Sequence, residues 1–264
     1  MKCLKIILGT KCNLHCDYCY QKHDDNTISK EVLDAIVDNI NSSNEKYVIH
    51  FFGGEPLLYL DQIFYLLDRI DISKHSFSIS TNAVLKDNFR KLEEKLGIEI
   101  ANLLSNKSNK DYSELNSKSN FRYVATKSNL SELESNLDYF LQEYKDKFSI
   151  FCNFYEKWDI EHLKRIEKIE KRARTAVPNI TVLKPVIQDK ITCGCKNIIV
   201  NYNGDLLACH RDQKKIIGNI LKDGFVVSNN AECIFKEEIL KNFISQEIES
   251  DRMSVCEYDI VFYC

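Results

Sequence analysis

The apolar positions change period along the chain, and that change lays out its elements. Leu4, Ile6, Ile7 and Leu8 form a short apolar run that predicts a buried first strand. Ser29 is placed to cap a helix in which Val32, Leu33, Ile36, Val37 and Ile40 recur at helical spacing. The run Tyr47–Phe52 predicts the next strand, and the sequence then alternates helix 61–70, strand 76–80, helix 87–96 and strand 98–101. A polar stretch from Ser105 to Asn120 interrupts the pattern and reads as a long surface loop or a lid. Strand 121–126 follows. Ser131-Glu132-Leu133-Glu134 has the form of a capping box, with Leu137, Phe140, Leu141 and Tyr144 continuing its helix. After strand 148–154, Asp159 caps a helix carrying Ile160, Leu163, Ile166 and Ile169 on one face, and Pro178 ends the segment. Strands alternating with helices predict an α/β fold with parallel pairing and right-handed crossovers.

From Ile180 the alternation stops. Cys193-Gly194-Cys195 precedes the apolar run 198–202, Asn203-Gly204 predicts a type I′ hairpin turn, and Leu206-Leu207-Ala208-Cys209 returns. The expected division is therefore 1–178 and 179–264.

Charge and composition narrow the functions available. A net charge of −3 gives no electrostatic reason for a nucleic-acid partner. The densest basic run, Lys164 to Arg174, is interleaved with Glu167 and Glu170 and reads as a solvated helix face. No apolar run approaches the roughly 20 residues of a membrane span, and the N-terminus lacks a signal-peptide core, so a cytoplasmic location is expected. The 11 cysteines cluster toward the two ends, with only Cys152 between residues 20 and 192, which points to metal ligation rather than a disulfide framework. Cys3, in the first strand, reads as a small core residue.

The chemistry concentrates in Lys11-Cys12-Asn13-Leu14-His15-Cys16-Asp17-Tyr18-Cys19-Tyr20. Three thiolates at C-x3-C-x2-C spacing can each bind a different iron of one 4Fe–4S cube, leaving the fourth iron open. Cys16-x-x-Cys19 alone would also suit half a zinc site or a redox pair, although no second C-x-x-C occurs in the chain. Gly53-Gly54-Glu55-Pro56 ends the second strand: two glycines permit a close backbone approach, and a carboxylate there can accept from an ammonium group. Ser80-Thr81-Asn82 ends the third strand and reads either as a ligand contact or as an ordinary cap.

The cysteine spacing, with Tyr18 before the last cysteine, resembles the signature of the radical S-adenosylmethionine (radical SAM) enzymes. Gly53-Gly54-Glu55-Pro56 matches that family's second motif, which holds the amino group of the cofactor's methionine. Ser80-Thr81-Asn82 stands where relatives often carry Thr-Asn-Gly near the cofactor's carboxylate and ribose, with Ala83 in the glycine position. The resemblance implies an open (β/α)6 TIM-like barrel. It also implies a 4Fe–4S cluster on Cys12, Cys16 and Cys19, bound S-adenosylmethionine, and an electron donor such as flavodoxin or ferredoxin. An arginine that many relatives place after the fourth-strand loop is not identified here.

The hairpin cysteines resemble the first half of a SPASM domain, or the shorter twitch domain, which hold auxiliary iron–sulfur clusters. One such cluster is expected, with Cys193, Cys209, Cys256 and Cys264 as ligands and Cys195 and Cys233 as alternates. A zinc site in the same place is the competing reading, and His210 reads as an exposed strand-end residue. Enzymes of that branch commonly modify peptides, so the resemblance implies a peptide maturase acting through hydrogen abstraction. A separate leader-binding protein is expected, because the chain starts directly at the barrel. Cys152 is a candidate hydrogen donor or an inert core thiol. The alternatives are a twitch-type enzyme acting on a small molecule, a glycyl-radical-activating enzyme, and a non-enzymatic iron–sulfur or zinc sensor.

Overall fold

The computed structural model describes residues 2–105, 118–153, 156–183, 197–210 and 213–227. Its elements run β1 (Lys2–Ile7), α1 (Lys30–Ser42), β2 (Tyr47–Phe52), α2 (Leu60–Leu67), β3 (Ser76–Thr81), α3 (Lys86–Leu96) and β4 (Ala101–Ser105). They continue with β5 (Ser119–Ala125), α4 (Leu130–Tyr144), β6 (Phe148–Cys152), α5 (Ile160–Ala176) and β7 (Thr181–Leu183). Last come β8 (Asn197–Val200), β9 (Asp205–Leu207), β10 (Ile216–Asn219) and the single turn α6 (Ile220–Asp223). By packing, the described residues fall into two units, one within Met1–Ser119 and Cys195–Asn230, the other within Asn120–Gly194.

In the first unit β1, β2, β3 and β4 pair in parallel in chain order. β8 adds in parallel on the other side of β1, and β9 and β10 extend it as antiparallel strands. Residues 197–219 thus continue the sheet of the N-terminal strands, a division by packing that differs from 1–178 and 179–264. Strand alternation sends Leu4, Ile6, Ile49, Phe51, Phe77 and Ile79 to one face. There they pack with Val32, Leu33 and Ile36 of α1, Ile63 and Leu66 of α2, and Phe89 and Leu92 of α3. The opposite face carries Lys5, Ile7, His50, Phe52, Ser78 and Ser80, with a small apolar cluster of Ile7, Ile199 and Leu207 beside Phe52. Ser29 caps α1 as expected, accepting from the Val32 N–H at 3.2 Å.

In the second unit β5, β6 and β7 are parallel. Arg165 and Arg172 of α5 tie that helix to Glu134 and Asp138 of α4. Asp159 caps α5 by accepting from the His162 N–H at 3.0 Å. Arg122 of β5 lies 3.5 Å from the centre of the Phe151 ring.

Four local expectations are corrected. The strand placed at 98–101 begins at Ala101: Gly97 ends α3 in the left-handed region, and residues 98–100 carry the chain back, with Ile100 N–H on the Glu93 carboxylate. α4 starts after Asn129, so Ser131 and Glu134 lie inside it and bind Arg165 rather than forming a capping box. The hairpin turn is not type I′, because Gly204 alone of Tyr202, Asn203 and Gly204 has a positive φ. The Gly204 N–H donates to Asn201 C=O and the Asn201 N–H to Asp205 C=O, the pattern of a type I turn closed by a glycine bulge. Finally, β7 extends the parallel series past Pro178.

Candidate functional site

The cysteine loop is a closed excursion. Leu8 C=O accepts from Ile28 N–H, Gly9 bridges Thr27, and Thr10 N–H donates to Asn26 C=O, so residues 10–26 leave and re-enter the fold at one point. The Thr10 hydroxyl, 7% exposed, donates to Asp24 C=O and accepts from the Asn26 amide. Within the loop the Cys19 N–H donates to Cys16 C=O, making the C-x2-C step a turn. Cys12, Cys16, Tyr18 and Cys19 are half-buried. Cys19 Sγ lies 3.3 Å from His23 Nε2, and the His23 ring meets the His15 ring edge-on at 5.7 Å.

Gly53–Pro56 is stitched to the base of that loop. The Gly54 N–H donates to Gly9 C=O at 3.1 Å and the Glu55 N–H to Lys11 C=O at 2.9 Å. The close approach these glycines permit is to the chain's own backbone. A Cβ on Gly53 would stand 2.6 Å from Gly9 O, and one on Gly54 2.2 Å from Lys11 O. Gly53 also has φ +145°, a conformation that L side chains rarely adopt.

Glu55 is 1% exposed, and its carboxylate gathers internal donors. One oxygen accepts from the Thr81 hydroxyl at 2.7 Å and Leu57 N–H at 3.0 Å, the other from Asn82 N–H at 2.8 Å. The Glu55 side chain therefore joins the end of β2 to the end of β3 and caps the 3-10 turn that Pro56 begins. Asn82 is used in the same way: its amide donates to Asn13 Oδ1 at 2.7 Å and its oxygen accepts from Val84 N–H. The cap reading of Ser80-Thr81-Asn82 thus describes Asn82. Ala83 takes φ +59°, which gives a physical reason for a glycine at that position in relatives.

Three contributors escaped the sequence reading. Tyr59 donates its hydroxyl proton to Asn26 C=O and accepts from Lys11 N–H at 2.7 Å, bracing both ends of the loop. Burial raises its phenol above the usual value, which keeps it neutral for both bonds. Asn13 meets Asn82, and His50, 2% exposed, has Nδ1 on the Ser78 hydroxyl at 2.7 Å and Nε2 on Ser80 at 2.9 Å. Spacing cannot mark such residues, because their partners are 28 to 69 residues away.

Cys209 lies two residues past β9 and is buried, beside the half-buried His210, whose ring lies edge-on to Phe52 at 5.4 Å. Cys193, Cys195, Cys233, Cys256 and Cys264 lie outside the described residues. Cys152 is 1% exposed and alternates with Phe148 and Ile150, on the face where Phe148 packs against Phe140 of α4. Its surroundings are those of a packed core thiol. Cys3 is likewise buried.

Among the described residues no three His, Cys, Asp or Glu side chains converge as ligands of a single metal ion. A cube differs, since each thiolate binds its own iron and the sulfurs stand apart across it. Three soft, half-exposed donors on one pinned loop fit that group, and the fourth iron would be left for a chelating amine and carboxylate.

Residues 6–104 match the family model described as the Radical SAM superfamily. The superfamily is one of enzymes that use a 4Fe–4S cluster and S-adenosylmethionine. The chain is 23% identical over 278 aligned positions, 88% of each protein, to a probable GTP 3′,8-cyclase of Sulfurisphaera tokodaii. It is 33% identical over 107 residues to the radical SAM cyclopropyl synthase TigE of Paramaledivibacter caminithermalis, spanning 32% of this chain and 23% of TigE. The fold matches native anSMEcpe with bound AdoMet at a TM-score of 0.62 and 18% identity, over 91% of this chain and 81% of that one. It also matches Streptococcus suis SuiB bound to its precursor peptide SuiA at 0.56 and 19%, over 84% of this chain but 63% of SuiB. Among the described residues no helix is long and apolar enough to cross a membrane.

Proposed function

We propose that this protein is a radical SAM enzyme that modifies a peptide. The observation that carries the radical reading is the junction of the three motifs. Cysteine loop, Gly53–Pro56 and Ser80–Asn82 meet at the ends of β1, β2 and β3 through bonds centred on Gly9, Lys11, Glu55 and Asn82. In that arrangement Cys12, Cys16 and Cys19 hold a 4Fe–4S cluster, and the Gly53–Pro56 backbone holds the cofactor's amino group. When bound, cluster and S-adenosylmethionine together supply reductive cleavage to a 5′-deoxyadenosyl radical that removes a substrate hydrogen atom. The chain contributes placement: Tyr59 and Thr10 keep the loop closed, and Glu55 fixes the motif turn against β3 without spending its carboxylate on solvent.

A peptide substrate is supported by the fold shared with anSMEcpe and SuiB, whose structures are described with bound peptides. The rival reading is a small-molecule substrate, which the likeness to a probable GTP 3′,8-cyclase favours by its coverage of both chains. A SPASM or twitch assignment, with Cys209 among the ligands of one auxiliary cluster, belongs to the same proposal, as do a flavodoxin or ferredoxin as electron donor and a leader-binding partner.

Anaerobic reconstitution tests it. About eight irons per chain are expected for two 4Fe–4S clusters, with 5′-deoxyadenosine formed on adding dithionite and S-adenosylmethionine. About four irons, lost in the Cys12/Cys16/Cys19 triple-alanine variant, would remove the auxiliary cluster. Full loading with no 5′-deoxyadenosine in the presence of candidate substrates would overturn the enzymatic reading.

A further inference from the structure

The second face of the first unit's sheet holds a group that the radical site does not use. Lys5 sits in the middle of β1, a parallel strand flanked on both sides, where lysine is unusual unless paired. Of residues 3–8 it alone is not buried. Its ammonium lies 5.3 Å from the centre of the Phe52 ring, and among the described residues it has no carboxylate at ion-pair distance.

The neighbours of Lys5 share its character. Across the sheet its register partners are Ile199 on β8 and His50 on β2, and His50 in turn pairs with Ser78 on β3. Phe52 stacks obliquely with His50 at 6.1 Å and meets His210 edge-on at 5.4 Å. Lys5, Phe52, Ser80 and His210 are half-buried, while His50, Ser78, Ile7, Ile199 and Leu207 beneath and beside them are buried. The result is a half-exposed surface of one cation, histidines and hydroxyls. Among the described residues of β1, β2, β3 and β8 no acid occurs on this face; on β9 Asp205, two residues before Leu207, has its carboxylate on the Asn203 and Asn219 amides. A cation kept in such a place costs stability unless an anion meets it.

We propose that Lys5, backed by Phe52 and with His210 at its rim, binds a compact anionic group of the substrate, a carboxylate or a phosphate. Lys5 stands four residues before Gly9, about 13 Å along the strand from the base of the cysteine loop. The anion would thus be held away from the cluster ligands, anchoring the far end of a substrate whose reacting carbon lies nearer the loop. The inference names the substrate class for the function proposed above and rests on that reading only for its place beside the reaction. Binding is measurable without it.

The test titrates the reconstituted, unreduced protein by calorimetry with four probes. These are GTP, guanosine, the acidic peptide Gly-Glu-Gly-Asp-Gly and its neutral counterpart Gly-Gln-Gly-Asn-Gly. In the wild type one anionic probe is expected to bind at least tenfold tighter than its neutral counterpart. Lys5→Met should erase that preference and Lys5→Arg keep most of it, while His210→Gln weakens it severalfold. Lys5→Met should also melt at or above the wild-type temperature, because it removes an unpaired cation; a purely structural lysine would lower it. A preference for GTP identifies a phosphate source, and a preference for the acidic peptide a carboxylate. Equal binding of charged and neutral probes would overturn the proposal, as would a preference that survives Lys5→Met. So would an equal loss of S-adenosylmethionine affinity in Lys5→Met, since the cofactor's own carboxylate would then be the anion. Should Lys5→Met fail to fold, Lys5→Arg and His210→Gln decide it. Anion binding through Lys5 with no 5′-deoxyadenosine under reducing conditions would instead count against the radical reading alone.

Discussion

The two faces of the sheet around β1 and β2 come from the same strands and obey different rules. On one face Leu4, Ile6, Ile49, Phe51 and Ile79, each 0% exposed, are pressed against three helices, and every group is apolar. On the other, one residue along, stand Lys5, His50, Ser78 and Ser80. Burial alone does not separate them, since His50 and Ser78 are each only 2% exposed. What separates them is how each face is held. The helix face is held by packing, which tolerates a change of shape at a graded cost. The other face, and the motif junction at its end, is held by directed bonds whose loss strands a partner. In this molecule packing supports the scaffold and hydrogen bonds position the chemistry.

Substitutions rank that difference. The largest effect is expected at the junction: Gly54→Val places a side chain against the Lys11 carbonyl, and iron uptake on reconstitution should fall to background. An iron content equal to wild type would mean that the loop is not braced as described. On the helix face, Ile6→Ala should cost about 2–5 kcal/mol in urea denaturation while leaving iron uptake intact. Ser78→Ala, which leaves the buried His50 Nδ1 without its hydroxyl, should cost about 1–3 kcal/mol by the same measurement. A loss from Ser78→Ala as large as that from Ile6→Ala would blur the contrast between the faces.

Ala83→Gly should stabilise by about 0.5–1 kcal/mol, since relief of a left-handed alanine exceeds the entropy that glycine loses. The smallest effect lies in the second unit. The Asp159 carboxyl is held below the usual carboxylate range, first by the His162 N–H and then by the His162 and Lys127 side chains. A depressed folded-state pKa contributes stability above the unfolded value near 3.9 that is lost as pH falls below it. Asp159→Asn should therefore melt slightly below the wild type at neutral pH and converge with it at acid pH, which flattens the acid limb of its thermal-melt profile.

Much of the scaffold was legible in the sequence because local pattern and tertiary role agree there. Ser29 and Asp159 cap the helices that their spacing predicts, and the run Tyr47–Phe52 is a strand with the motif turn at its end. Legibility failed where a distant partner outweighed a local signal. Ser131 and Glu134 look like a cap by themselves and serve Arg165 instead, 34 and 31 residues on. Asn203-Gly204 looks like a two-residue turn, but the pairing of β8 and β9 sets the bonds at Asn201 and puts only Gly204 in the left-handed region.

The same distinction runs through the site. The sequence by itself determined the donor set, because Cys12, Cys16 and Cys19 are local and thiol chemistry needs only their spacing. It also determined the turn at Gly53–Pro56, since glycine and proline act on their own backbone. Only the tertiary structure decided what those residues touch. The glycines turn out to admit Gly9 and Lys11, Glu55 turns inward to Thr81 and Asn82, and Tyr59 braces a loop that begins 48 residues earlier. Lys5 reads in the sequence as one charge in an apolar run. Its significance depends on which strands flank it, and pairing between segments remote in the chain is set by the fold as a whole.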